Sequence, residues 1–372
     1  MTATNERLQA LTDAGVSIWL DDLDRNRITS GQLAGMVAGQ CVRGVTTNPT
    51  IFDKAISTGA AAYADQLASL AQSGADVDAI IRALTTDDVR AACDILHELW
   101  VESGGVDGRV SIEVDPRLAH DTAGTARQAV ELWGIVDRPN ALIKIPATAE
   151  GLPAITSTIA AGISVNVTLI FSIDRYRAVV DAYQAGLEAA AANGHDLSTI
   201  QSVASFFVSR IDSEVDGRLT AQGTGPAESM LGTAAIASAR LAWAAHEELT
   251  ATERWAALAA QGANPQRPLW ASTGVKNPAY DPTRYVVDLV VRGCVNTMPE
   301  ATLEAVAEQG VIPADSVSGT AAASAQVWAD LAGLGIEELE VCALLEREGV
   351  TKFIDSWEQL RSTVAAAAGV EA

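Results

Sequence analysis

The sequence predicts an α/β fold, a single (β/α)8 barrel over residues 1–372 with additional helices, and three features predict it. Eight short β-rich runs recur along the chain, helical segments separate them, and no long Gly-, Ser- or Pro-rich linker divides it. A doubly wound sheet produces a similar alternation, but the count of eight favours a closed barrel. With 372 residues, 48% of them hydrophobic, there is ample material for one core of that size.

In order, the strands are expected at residues 17–20, 44–47, 110–114, 141–145, 164–169, 202–207, 268–272 and 295–298, so the barrel occupies about 17–298. Between them lie stretches such as 176–183, where apolar residues recur at three- and four-residue steps as on one face of a helix. The segments 53–107 and 226–266 are longer than a single crossover helix needs and are predicted to hold extra helices. So is the tail, about 313–372, which forms a helical C-terminal extension. Its Ala-rich runs are ordinary helix formers rather than low-complexity disorder.

Composition excludes several functions. A formal net charge of −22 argues against nucleic acid or an anionic membrane as a partner, although a few local cations suffice to hold one phosphate. The four cysteines, Cys41, Cys93, Cys294 and Cys342, form no CxxC pair and read as reduced thiols. The start, Met1-Thr2-Ala3-Thr4-Asn5-Glu6-Arg7, lacks the basic-then-apolar pattern of a signal peptide, and no uncharged apolar run is long enough to span a bilayer. A cytoplasmic location is the expectation. The four histidines are scattered, with no HxH or HExxH spacing, and there is no GxSxG, GxGxxG or GxxxxGK[ST] motif. No metal, nucleotide or other cofactor is expected. A homodimer is compatible with the surface helices, which do not specify it.

The residue that stands out is Lys144, inside the apolar run Ala141-Leu142-Ile143-Lys144-Ile145-Pro146. Burying an ammonium costs several kcal/mol unless it is paired or becomes neutral, and a neutral amine attacks carbonyls. The bland alternative is a lysine that snorkels to water from a strand end. In a barrel, however, active-site groups lie where strands finish. Those ends carry Asp21, Asn48, Glu113, Lys144, Asn166, Thr168, Ser205, Phe207, Arg210 and Ser272. Each has a structural reading of its own: Asp21 as a turn cap, Asn48 before Pro49 as a turn device, Arg210 as a surface ion pair. Together they set one amine, two carboxylates, two amides and a hydroxyl around one mouth, a set suited to moving protons about a carbonyl carbon.

Five segments appear in an order that resembles the transaldolases. They are Gly44-Val45-Thr46-Thr47-Asn48-Pro49-Thr50, Gly108 to Asp115, Leu142-Ile143-Lys144-Ile145-Pro146, Asn166-Val167-Thr168-Leu169-Ile170-Phe171-Ser172 and Ser205-Phe206-Phe207-Val208-Ser209-Arg210. The signal runs from about Asp21 to Met298 and leaves out the tail. The resemblance implies that Lys144, on the fourth strand, forms an imine with a ketose phosphate. Glu113, through a water held by Thr168, would shuttle protons, and Asp21 would take the C4-hydroxyl proton. Asn48 and Asn166 would hold hydroxyls, with Ser205 and Phe207 beside the substrate and Arg210 and Ser272 on its phosphate. No cofactor is required.

The sequence departs from that pattern in two places. An arginine is expected two residues after Ser272, but the run is Ser272-Thr273-Gly274-Val275-Lys276. Lys276 either supplies the second phosphate cation, without bidentate geometry, or is a solvated loop residue. Phe206 stands where a proline is expected and carries no functional claim. Related aldolases that release free dihydroxyacetone have a tyrosine at the position of Phe207, which lacks that hydroxyl. The expected function is transfer of a dihydroxyacetone unit between sugar phosphates. Sedoheptulose 7-phosphate and glyceraldehyde 3-phosphate would give erythrose 4-phosphate and fructose 6-phosphate reversibly, in the non-oxidative pentose phosphate pathway. Two rivals stay open: a fructose-6-phosphate-type aldolase, and a catalytically silent barrel that binds sugar phosphate.

Overall fold

Eight parallel strands close into a barrel in sequence order, with β1 returning to pair with β8. A computed structural model describes residues 4–371, so the reading of Met1, Thr2 and Ala3 as no leader lies outside the described residues. The strands are β1 (Ser17–Leu20), β2 (Gly44–Val45), β3 (Arg109–Glu113), β4 (Ala141–Pro146), β5 (Val165–Ile170), β6 (Ser202–Phe207), β7 (Arg267–Ala271) and β8 (Val295–Met298). Nearly every strand residue is buried, because helices cover the outside while side chains fill the inside. That is why the strands read in sequence as continuous apolar runs rather than as alternations.

β2 is shorter than expected, ending at Val45, although Thr46 still donates its backbone N–H to Leu20 O at 2.8 Å. Its first residue has to be glycine. A Cβ on Gly44 would lie 2.5 Å from Cε2 of the fully buried Trp19, which fills the barrel floor beside it.

The long spacers hold the extra helices the sequence calls for. Pro49–Thr58, Ala60–Gln72, Val77–Ile95 and His97–Glu102 fill the first, and Gly225–Glu228, Ala234–Thr250 and Glu253–Ala259 fill the second. The tail forms Ala321–Gly333 and a 31-residue helix, Glu338–Ala368. This last helix lies against the barrel rather than away from it. Cys342 Sγ donates to Phe171 O at 3.3 Å, Thr50 Oγ1 to Ser356 Oγ at 2.8 Å, Arg361 Nε to Asp78 at 2.9 Å and Thr363 Oγ1 to Asp53 at 2.6 Å. No helix among the described residues is long and apolar enough to cross a membrane. All four cysteines are free thiols, three of them buried.

Candidate active site

A cavity of about 270 Å³ opens at the carboxyl ends of the strands. Its wall includes Asp21, Asn48, Lys144, Thr168, Ser205, Phe207, Arg210, Ser272 and Lys276, nine of the eleven residues the sequence singled out. Glu113 and Asn166 are not part of that wall.

Lys144 is fixed by its strand and by its partners. Nζ donates to Glu113 Oε2 at 3.2 Å and to Thr47 O at 3.1 Å. Both side chains of the pair are about nineteen-twentieths buried. β3 and β4 pair in a register that places Glu113 directly beside Lys144, so the contact follows from the sheet itself. Burial pushes the Glu113 carboxyl up to about 7, against the opposing pull of Lys144, so this carboxyl gains and loses a proton near neutrality. Glu113 and Asn48 also border a second cavity of about 190 Å³ under Trp357.

Asp21 ends β1. Burial raises its pKa, and the charges of Lys144, Lys276 and Arg210 work against that rise, as does a hydrogen bond from Thr46. Thr46 Oγ1 donates to Asp21 Oδ1 at 2.7 Å and lies 2.6 Å from Thr297 Oγ1. A hydroxyl has one hydrogen, so Thr297 must donate to Thr46 while Thr46 donates to Asp21. The relay orients one carboxylate oxygen. Thr46 and Thr297 both line the cavity, and sequence reasoning overlooked them because a threonine in a strand carries no local signal.

Thr168 sits in an irregular stretch of β5. Pairing with β6 runs Val167 to Ala204 and then Ile170 to Phe206, so β5 has one residue too many, and Leu169 takes a left-handed φ of 61°. Such a bulge re-aims side chains, and left-handed backbone at a leucine is strained by about 1–3 kcal/mol. Thr168 Oγ1 is buried and has no hydrogen-bond partner in the protein. Two residues earlier, Asn166 is fully buried within the barrel. Its amide donates to Ser111 Oγ at 3.0 Å and accepts from Ser205 Oγ at 2.7 Å.

Asn48 serves two structural purposes at once. It precedes Pro49 at the start of the helix Pro49–Thr58, and its Oδ1 accepts from Ile51 N at 3.0 Å as an N-cap. The amide nitrogen is left for a ligand.

The other end of the cavity is cationic. Arg210 lies in the first turn of the helix Ser209–Gln222, which has no side-chain cap, while Ser209 N donates to Ser272 O and Ile211 N to Val208 O, each at 3.0 Å. Its Nη1 is buried without a partner, and its guanidinium carbon stands 5.2 Å from the Phe207 ring centroid. Burial pulls its pKa down, while Glu348, Asp21 and Glu113 oppose the fall. Ser272 has a left-handed φ of 56°, and its hydroxyl lies 3.0 Å from that of Ser209. Lys276 lines the same space. A phosphate-sized anion matches this set of donors.

One wall residue comes from outside the barrel. Phe353, on the helix Glu338–Ala368, lines the cavity with its ring centroid 5.4 Å from Lys144 Nζ. It is far along the chain from every strand end and had no signal in the sequence beyond being an apolar residue of a helix.

Residues 18–364 match the family described as transaldolase/fructose-6-phosphate aldolase. The match extends into the tail that the motif segments leave out. A transaldolase of Mycolicibacterium paratuberculosis is 60% identical over 361 residues, which are 97% of this chain and 96% of that protein. One of Saccharopolyspora erythraea is 60% identical with 97% of both chains covered, and one of Mycobacterium tuberculosis is 58% identical over 97% and 96%. The chain belongs to the transaldolase/fructose-6-phosphate aldolase family.

Proposed function

We propose that Lys144 forms an imine with a ketose phosphate and that the chain transfers the resulting dihydroxyacetone unit to an aldose phosphate, as a transaldolase. The buried Lys144–Glu113 pair at 3.2 Å, whose lysine lines the cavity at the strand ends, carries the reading. Glu113 takes a proton from the Lys144 ammonium, and the neutral amine adds to the C2 carbonyl of the donor. Glu113 then protonates the departing hydroxyl, so that water leaves and the iminium forms. The partnerless Thr168 hydroxyl supports its assignment as the anchor of a water on this route. Asp21 takes the C4-hydroxyl proton, the C3–C4 bond breaks, and its electrons pass into the iminium to give an enamine. The aldose phosphate leaves and another enters. The enamine carbon attacks its aldehyde while Asp21 returns the proton.

Sedoheptulose 7-phosphate and glyceraldehyde 3-phosphate are the proposed donor and acceptor in one direction, fructose 6-phosphate and erythrose 4-phosphate in the other. Arg210, Ser272 and Lys276 take the phosphate, Asn48 and Ser205 sugar hydroxyls, and Asn166 orients Ser205 from below. A cytoplasmic location, a homodimer and a single domain that includes the tail belong to the same proposal. The tail's bonds to Thr50, Asp53 and Phe171 support the last point.

The test is release of glyceraldehyde 3-phosphate from fructose 6-phosphate with and without erythrose 4-phosphate, combined with borohydride trapping at Lys144. Multiple turnovers that require the acceptor are expected. Equal release without acceptor would make the chain a fructose-6-phosphate aldolase, a reading that Phe207, with no hydroxyl to place a hydrolytic water, speaks against. Absence of both product and trapping would leave a silent sugar-phosphate-binding barrel.

A further inference from the structure

Every polar group at the cavity comes from the barrel strands or from the loops and first helical turns that directly follow them, yet part of the wall nearest the lysine does not. Phe353 is 6% exposed, stands 5.4 Å from Lys144 Nζ and lies 6.0 Å from the Arg210 guanidinium carbon. Its helix is seated unusually closely. One turn earlier, Gly349 faces the bulged strand, and a Cβ there would come 3.0 Å from Leu169 Cδ2 and 3.7 Å from Arg210 Nη1. Glycine in mid-helix is unfavourable relative to alanine. Here it lets the helix approach the mouth, and the i, i+4 spacing puts Phe353 on the same face.

We propose that Phe353 is a positioning residue that keeps water from the Lys144 imine, so that the three-carbon unit waits for an acceptor aldehyde. This rests on the Schiff-base reading above. The step it suppresses begins when the enamine carbon is protonated, which regenerates the iminium. Water then adds at C2 and the C–N bond breaks. The oxygen of water becomes the carbonyl oxygen of free dihydroxyacetone, both of its hydrogens end on nitrogen, and Lys144 leaves as an ammonium. A phenyl ring over the nitrogen blocks that approach and has no hydrogen-bonding group with which to hold a water. Its π-face also tolerates the cationic iminium. Phe207, packed on Phe171 at 5.4 Å between centroids, forms the barrel-borne part of the same apolar wall. The transfer outcome therefore depends on two rings, one from a strand and one from the tail.

The experiment compares the full chain with Phe353→Ala and Phe353→Leu, measuring glyceraldehyde 3-phosphate and free dihydroxyacetone from fructose 6-phosphate with and without erythrose 4-phosphate. The expected result is a rise of about tenfold in the ratio of acceptor-independent to acceptor-dependent release for Phe353→Ala. A smaller rise is expected for Phe353→Leu, with borohydride still trapping the imine in both. Phe353→Leu keeps an apolar side chain in the helix, so a folding defect in the alanine variant does not decide the matter. If both rates fall in parallel at an unchanged ratio, Phe353 is only a packing residue and the proposal is overturned. An unchanged ratio with full rates overturns it equally. Failure to trap an imine in the parent chain sinks the Schiff-base reading itself, which separates the two failures.

Discussion

The two ends of the barrel are built from similar residues and treat them in opposite ways. At the amino end, Arg109 is almost completely buried and donates to Gly105 O at 2.8 Å, to Pro139 O at 3.4 Å and to Ser164 Oγ at 3.4 Å. Asp107 accepts from Ser17 at 2.6 Å and from Arg267 at 3.2 Å, and Asn140 donates to Cys93 O and Gly108 O. The donors of Arg109 and Asn140 are spent on neighbours, although Asn140 Oδ1, Gln266 Oε1 and Trp100 Nε1 at the same end have no partner. At the carboxyl end the Thr168 hydroxyl and one Arg210 nitrogen are buried with no partner, and two carboxyls are held above their ordinary pKa values by burial. Satisfied polar groups specify a structure, whereas unsatisfied ones are available to a ligand. Among the described residues of the two ends, only those at the carboxyl end combine unpaired donors with a cavity and with raised carboxyls, and that conjunction locates the chemistry without reference to any relative.

The comparison can be broken most decisively at Lys144. We expect Lys144→Ala to lower the transfer rate by roughly four orders of magnitude, since groups acting as a unit are not replaced by their neighbours. Circular dichroism and the melting curve should remain those of a folded barrel. A variant that keeps its activity would end the distinction between the two ends. Glu113→Gln comes next, with a loss of about 10²–10⁴-fold in kcat. Ionised Glu113 is the acceptor for the Lys144 proton, so kcat/KM in the parent should fall as the pH drops through about 7 and level off above it. That acid limb should vanish in Glu113→Gln, and its persistence would assign it to another group.

The amino end predicts the reverse behaviour. Arg109→Ala removes one member of a buried network and should cost about 3–5 kcal/mol of stability, seen as a lower urea midpoint. The kcat of the folded fraction should stay close to the parent value. A selective loss of kcat would show that the floor is coupled to the mouth. The smallest effect is expected at Lys276. Lys276→Ala should raise KM for the sugar phosphate by about tenfold with little change in kcat, and Lys276→Arg should restore or lower it through a bidentate grip. No change in KM for either variant would identify Lys276 as a solvated loop residue.

The expectation of a barrel of this family, and of a transaldolase, is borne out by the closed eight-stranded sheet, the family match and the named relatives. The strands were legible because both of their faces are buried, which leaves an unbroken apolar signal, and a charge at the end of such a run is conspicuous. That is how Asp21, Glu113 and Lys144 could be found. The depth of a group was not legible. Asn166 and Thr168 differ by two positions on one strand, about 6–7 Å, and only Thr168 lines the cavity. The bulge at Leu169 left no trace either, because a leucine gives no warning of left-handed backbone. Phe353 was hidden for a third reason. It reaches Lys144 from 209 positions away along the chain, and local periodicity carries no information about which helix face a distant lysine will meet.

The position of Phe353 also orders events in time. Synthesis runs from the amino end, and all eight strands with their lysine, carboxylates and cations are made before the last helix emerges. A barrel truncated within the tail would hold those groups and still lack one wall of its cavity. On the proposed role of Phe353, retention of the three-carbon unit for an acceptor, rather than imine formation, would thus await completion of the last helix.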